Sequence, residues 1–163
     1  MNYITTFFLF FVCFILQTTV FHFLKFFGIV PNITLILIII LSFLYKEFYG
    51  IVYGVIFGLL QDIFFSQIIG IAAFIYFTLG IIIYEIKKYI YKDSLFSPVI
   101  ITFLGVTYYH LTYWLFMRLF NMNYNFLYIL KSIYLGELVY DLIVAVFIYK
   151  FLISKIHSYE YYR

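Results

Sequence analysis

The chain is predicted to be an all-α integral membrane protein, a bundle of about six transmembrane helices with both termini in the cytoplasm. Three observations carry that prediction. Of its 163 residues, 67% are hydrophobic and 10% charged, and the mean hydropathy is +1.10. A soluble domain carries roughly a quarter charged and about half apolar residues, and one small core cannot hide this much apolar surface. Apolar stretches approaching the roughly 20 residues needed to cross the hydrocarbon recur along the chain. Lastly, Lys and Arg alternate in density between successive connections.

The first span is expected over residues 4–24, closed by Lys25. The first 22 residues of the chain hold no Lys or Arg, and the apolar run is too long for a signal-peptide core, so the span reads as a retained helix. The second, 31–45, opens at Pro31, where a missing amide is harmless on the first turn. It is short, which suggests little tilt or a locally thinned bilayer. Lys46 and Glu47 turn the chain into the third span, 48–65, and the fourth follows over 70–84. The second and third could instead form one re-entrant hairpin. "EIKKYIYKDS", Glu85 to Ser94, is the clearest polar break. The fifth and sixth spans are expected over 98–119 and 133–152, making residues 1–163 one polytopic domain.

With six spans, the termini and alternate connections share a side. That side holds Lys46, Lys87, Lys88, Lys92, Lys150, Lys155 and Arg163, against Lys25, Arg118 and Lys131 on the other. Basic residues concentrate on the cytoplasmic face, which puts both termini there.

Several chemistries find no foothold. Cys13 stands alone in an apolar run, so no disulfide or thiolate cluster is expected. His22 reads as interfacial and His157 as part of the tail, and neither has a second ligand at metal-binding spacing. No basic stretch is dense enough for nucleic acid. No nucleophile sits beside a base, and no phosphate loop or metalloprotease motif occurs, so neither catalysis nor a cofactor is expected. Glu137 and Asp141, spaced i, i+4, could hold a cation, although interior carboxylates more often pair with Arg or His. The 26% aromatic content reads as lipid-facing filler from an AT-rich coding sequence.

The informative residues are polar ones inside the apolar runs. In "GLLQDIFFSQIIG", Gly58 to Gly70, Asp62 lies about 21 Å along a helix starting near Phe48. Starting the sixth helix after Asp141 would leave about 16 Å, too little to span, so Asp141 lies inside the membrane with Glu137 one turn above it. Gln17, Thr18, His110 and Arg118 fall at a similar level. A carboxylate near the bilayer centre costs about 2.5–3.5 kcal/mol on insertion scales. The acids are therefore expected to face the interior and pair with Arg118, His110, Gln17 or backbone amides. The plainer reading of Asp62 and Glu137 is a helix-end acid in wet headgroups. Gly50, Gly54 and Gly58, four residues apart, form a groove that admits another backbone, unless they are three unrelated glycines.

Taken in order, "LQTT" (Leu16 to Thr19), "GIVPN" (Gly28 to Asn32), "GVIFGLLQD" (Gly54 to Asp62) and Gly70 resemble the rod shape-determining MreD family. The matching motif residues are Gln17, Pro31, Gly58, Asp62 and Gly70. The motifs cover roughly the first 90 residues, and hydropathy alone covers the remainder. One departure is Asn32, where the family often has Asp after the proline; Asn still accepts a capping hydrogen bond but carries no charge.

The resemblance implies a non-enzymatic scaffold in the bacterial inner membrane, supporting lateral peptidoglycan synthesis. Its implied partners are MreC, MreB, and RodA with a class B penicillin-binding protein. The outer connection "RLFNMNYNFLYILK", Arg118 to Lys131, is a reasonable contact for MreC from its length and position. The competing reading is the substrate-binding membrane subunit of an energy-coupling-factor-type transporter, also about six helices in size. Those subunits commonly dock through alanines on the first helix, and this chain has no alanine before Ala72.

Overall fold

The computed structural model describes residues 3–19, 30–45, 48–90, 96–122 and 134–161, with side chains in the last segment described to residue 154. Lys25, His22, the Lys46–Glu47 turn, Lys92 and most of the 118–131 connection lie outside these residues, as does the His157 side chain. Six α-helices and no strand occur among the described residues: α1 (Tyr3–Thr18), α2 (Ile33–Leu44), α3 (Tyr49–Phe65), α4 (Ile71–Ile86), α5 (Phe96–Leu119) and α6 (Leu135–Tyr161). A 3₁₀ turn, Lys87–Tyr89, extends α4.

Contacts between neighbours give an up-and-down order. Along α3, Gly50 faces Ser42 and Gly54 faces Ile38, so α2 and α3 are antiparallel. Gly58 lies on Ala73 while Gly80 lies on Ile51, which sets α4 antiparallel to α3. Tyr3 packs on Tyr49 and Phe14 on Phe57 and Phe64, so α1 runs parallel to α3. Asn32 meets Asp141 and Phe43 meets Tyr149, which makes α6 parallel to α2.

The middle of the bundle is α2. All twelve residues of "ITLILIIILSFL" are buried, and each of the other five helices touches it. A helix that is apolar all round is a buried helix, and this one is surrounded by protein. Close packing against its neighbours holds it. The outer surface carries the remaining greasy side chains, among them Phe8, Ile63, Phe64, Leu104 and Phe147, each exposed.

One described helix, Phe96–Leu119 at 24 residues, is long and apolar enough to cross a membrane by itself, whereas α1, α2 and α3 are shorter apolar helices. At 12 residues α2 is about 18 Å long. Pro31 also lies outside the helix it was expected to open. Asn32 is the N-cap, and its Oδ1 accepts from the Leu35 amide at 3.1 Å. Its side chain thus sets the start at Ile33, two residues later than a helix opening at Pro31 would begin.

Helix α5 ends in a Schellman motif. Asn121 adopts the left-handed φ of 55°, its amide donates to Arg118 O at 3.1 Å, and the Met122 amide donates to Met117 O at 3.0 Å. Asn tolerates that conformation better than most residues with a Cβ, and Met122 packs against the small apolar cluster of Ile71, Ile75 and Met117.

Candidate functional site

Helices α2 and α4 both begin inside the bundle, and a helix start leaves backbone N–H groups without partners. In lipid no water satisfies them, so side chains from other helices must. The polar residues of this chain meet that requirement at two neighbouring helix starts.

At the first, Asp62 reaches from the last turn of α3 to the start of α4. Its carboxylate is fully buried. Oδ2 accepts from the amides of Gly70 (3.0 Å), Ala72 (2.9 Å) and Ala73 (3.2 Å), and Oδ1 accepts from Ala72 at 3.1 Å. An anion at a helix N-terminus also gains from the helix dipole. Gly70 supplies the bend: its φ of 103° suits glycine, and it is the N-cap of α4 without a side chain of its own to cap with.

The second cluster surrounds the start of α2. Asp141 Oδ1 accepts from the Asn32 amide at 2.9 Å. Gln17 Oε1 accepts from the Thr34 amide at 3.0 Å and from its hydroxyl at 3.1 Å. Tyr76, fully buried on α4, links the two starts. Its hydroxyl donates to Gln61 Oε1 at 2.7 Å, with Asn32 Oδ1 at 3.2 Å as the weaker acceptor for the same proton. The Tyr76 ring stacks on Tyr109, which stacks on Tyr113.

Glu137 approaches His110 across α5 and α6, Oε2 to Nε2 at 3.2 Å. The distance suits a charge pair when the imidazole is protonated, but the angle does not make it a hydrogen bond. Asp141 Oδ2 is likewise buried without a hydrogen-bond partner among the described residues. Arg118 does not join the cluster. It is exposed, with its guanidinium carbon 5.5 Å from the Trp114 ring centroid. Thr18 turns back to its own helix, donating to Ile15 O at 3.1 Å.

The other end of α2 has the opposite charge. Lys87 Nζ donates to Ser42 O at 3.1 Å and Tyr45 O at 2.5 Å, and sits 3.6 Å from the Tyr84 ring centroid. An ammonium among a helix's last carbonyls is the favourable arrangement for the dipole. Lys87→Met keeps the apolar stem and removes the charge. It should lower stability by about 1–2 kcal/mol, read as the melting temperature of the purified protein in detergent.

Asp141 invites a graded pair. Asp141→Ala leaves the buried Asn32 amide unpaired and should cost about 1–3 kcal/mol, whereas Asp141→Asn keeps an acceptor there and should stay within about 1 kcal/mol. The same melting measurement separates them.

Sequence reasoning passed over Tyr76, Thr34 and Tyr109, which are hard to single out in a chain with 19 tyrosines. It placed Lys87 in a cytoplasmic connection and did not foresee that its ammonium meets the last carbonyls of α2. Among the described residues no group of His, Cys, Asp or Glu is arranged to hold a metal ion.

Comparison with protein-family models gives one decisive match: the model described as rod shape-determining protein MreD aligns with residues 1–155. The chain belongs to the MreD family. Comparisons with curated proteins and with solved structures return no match. For this MreD-family chain the family implies a part in determining rod shape.

Proposed function

We propose that this MreD-family protein is a non-enzymatic membrane scaffold of the cell-elongation machinery, supporting lateral peptidoglycan synthesis with MreC, MreB, and RodA with a class B penicillin-binding protein. The observation that carries the reading is the use made of the intramembrane acids. Asp62 and Asp141 accept from backbone amides and hold helix starts in place, a structural rather than catalytic use of buried acids. In this reading Gln17, Asp62, His110, Glu137 and Asp141 fix helix arrangement, and Gly50, Gly54 and Gly58 form the packing seam. The bundle spans the bacterial inner membrane with both termini in the cytoplasm. The lysine-bearing end, with Lys87, Lys88 and Lys150, faces inward and the Arg118 end outward.

A C-terminal tag, gentle solubilisation from the native host and mass spectrometry of co-purifying proteins test the proposal. Recovery of MreC, MreB or the RodA pair is expected. Recovery of transporter ATPases and their coupling subunit instead would replace it with the small-solute uptake reading.

A further inference from the structure

Two acids and one base gather where α5 and α6 meet. Glu137 and Asp141 stand one turn apart on the same face of α6, and His110 Nε2 lies 3.2 Å from Glu137 Oε2. Rings on either side hold the imidazole in place. Tyr109 and Tyr134 meet it edge-on, with centroids at 5.4 and 5.5 Å. Asp141 has no exposed surface. Its Oδ1 accepts from the Asn32 amide, and its Oδ2 is buried without a hydrogen-bond partner among the described residues.

Charge does not balance there among the described residues. Helix α6 packs on α5 and α2. From α5 come His110 and the phenols Tyr109 and Tyr113, and α2 carries no ionisable residue between Ile33 and Leu44. Tyr76 of α4 reaches Asn32 beside Asp141, and Gln17 of α1 is uncharged. Asp62 of α3 is a further acid, occupied by amides at the start of α4. On α6 itself Tyr134 and Tyr140 bring no positive charge, and Lys150 is exposed roughly 14 Å further along. Arg118 lies exposed over Trp114. One imidazolium can offset one carboxylate. The second would be a bare buried charge, and a carboxylate in that setting takes up a proton instead.

We propose that His110, Glu137 and Asp141 form a proton-binding site, with the proton on Asp141 Oδ2 and Glu137 left to pair with the imidazolium. One O–H bond forms on Oδ2. The proton comes from solvent that reaches Glu137 and His110, whose side chains keep 11% and 13% of their surface exposed. A proton needs no room, which suits a group with no exposed surface, and the three side chains are not arranged to hold a metal ion. Loss of the proton leaves two adjoining carboxylates against a single imidazole, so the hold of α6 on α2 and α5 depends on pH. Burial within the bundle sets this requirement, whichever partners the bundle has.

Infrared spectroscopy of the full chain, in a detergent without carbonyl groups, tests this. The carbonyl stretch of a neutral carboxyl should appear at neutral pH, move on deuterium exchange and vanish in Asp141→Asn, which keeps the acceptor for Asn32. His110→Gln removes the base, leaves both acids unpaired and should raise the band about twofold. Glu137→Gln removes the neighbouring acid and should move loss of the band to lower pH. The folded chain holds a proton that the unfolded chain gives up, so the melting temperature should fall as pH rises, and fall less in Asp141→Asn. Absence of the band at every pH where the chain stays folded would overturn the proposal, since a cation, such as a lysine beyond the described residues, would then neutralise Asp141. A band of undiminished strength in Asp141→Asn would overturn it too, by placing the proton on another acid.

Discussion

Asp62→Ala is expected to lower stability by about 2–4 kcal/mol, since it strips the acceptors from buried amides at roughly 1–3 kcal/mol per unsatisfied group, with partial relaxation. The amides concerned are those of Gly70, Ala72 and Ala73, at a site with no exposed surface. Asp62→Asn retains one oxygen but loses both the charge and half of the acceptor fork. It should cost about 1–2 kcal/mol, leaving a protein that still inserts. Two readouts separate these effects: melting of the purified protein in detergent, and the shape of cells relying on each variant. If Asp62→Asn gave normal rods and an unchanged melting temperature, the carboxylate would have no special part in holding α4.

The glycine seam gives the second large effect, and it should be uneven. A Cβ on Gly58 would stand 2.7 Å from Ala73 Cα and 2.9 Å from Ala73 N, both backbone atoms of α4. On Gly50 it would meet Ser42 Oγ at 2.1 Å, and also Ile38 O and Ser42 N at 2.8 and 2.9 Å, on α2. The Ser42 hydroxyl can rotate away, but the backbone atoms cannot. Each alanine substitution at these two positions should therefore force helices apart at a cost of about 1–3 kcal/mol. At Gly54 the nearest atoms lie 3.4 Å away, an ordinary contact. Gly54→Ala should stay within about 1 kcal/mol of the parent, and can gain from alanine's better helix propensity. Three equal melting shifts would contradict the division of the seam between two helices.

What could be read from the sequence tracks what is written in side chains. The apolar runs gave the helices, and the four-residue glycine spacing gave the seam. The same spacing could not say that Gly50 serves α2 while Gly58 serves α4, because the neighbour's identity depends on how the helices turn. Asp62 was conspicuous as an acid in an apolar run. Its partners were not, since backbone amides are common to nearly all residue types and leave no mark on the sequence. Arg118 was a candidate partner because it is a cation at the right level. Trp114, one turn earlier on the same helix, provides a nearer surface. Most deceptive was "ITLILIIILSFL", in which an unbroken apolar stretch reads the same whether lipid or protein surrounds it. No periodicity distinguishes the two, and the central place of α2 emerges only from the packing of its five neighbours.

The pinning of α2 has a consequence for how the chain is made. Residues that hold its start belong to α1 and α6, and the lysine that holds its end follows α4. During synthesis α2 emerges when Gln17 alone of these exists. Its last carbonyls wait for the chain to reach Lys87, and the Asn32 amide waits until Asp141 is made. The bundle is thus closed from its C-terminal end: a nascent chain stopped short of α6 carries an unfinished pillar, its Asn32 amide without the Asp141 acceptor.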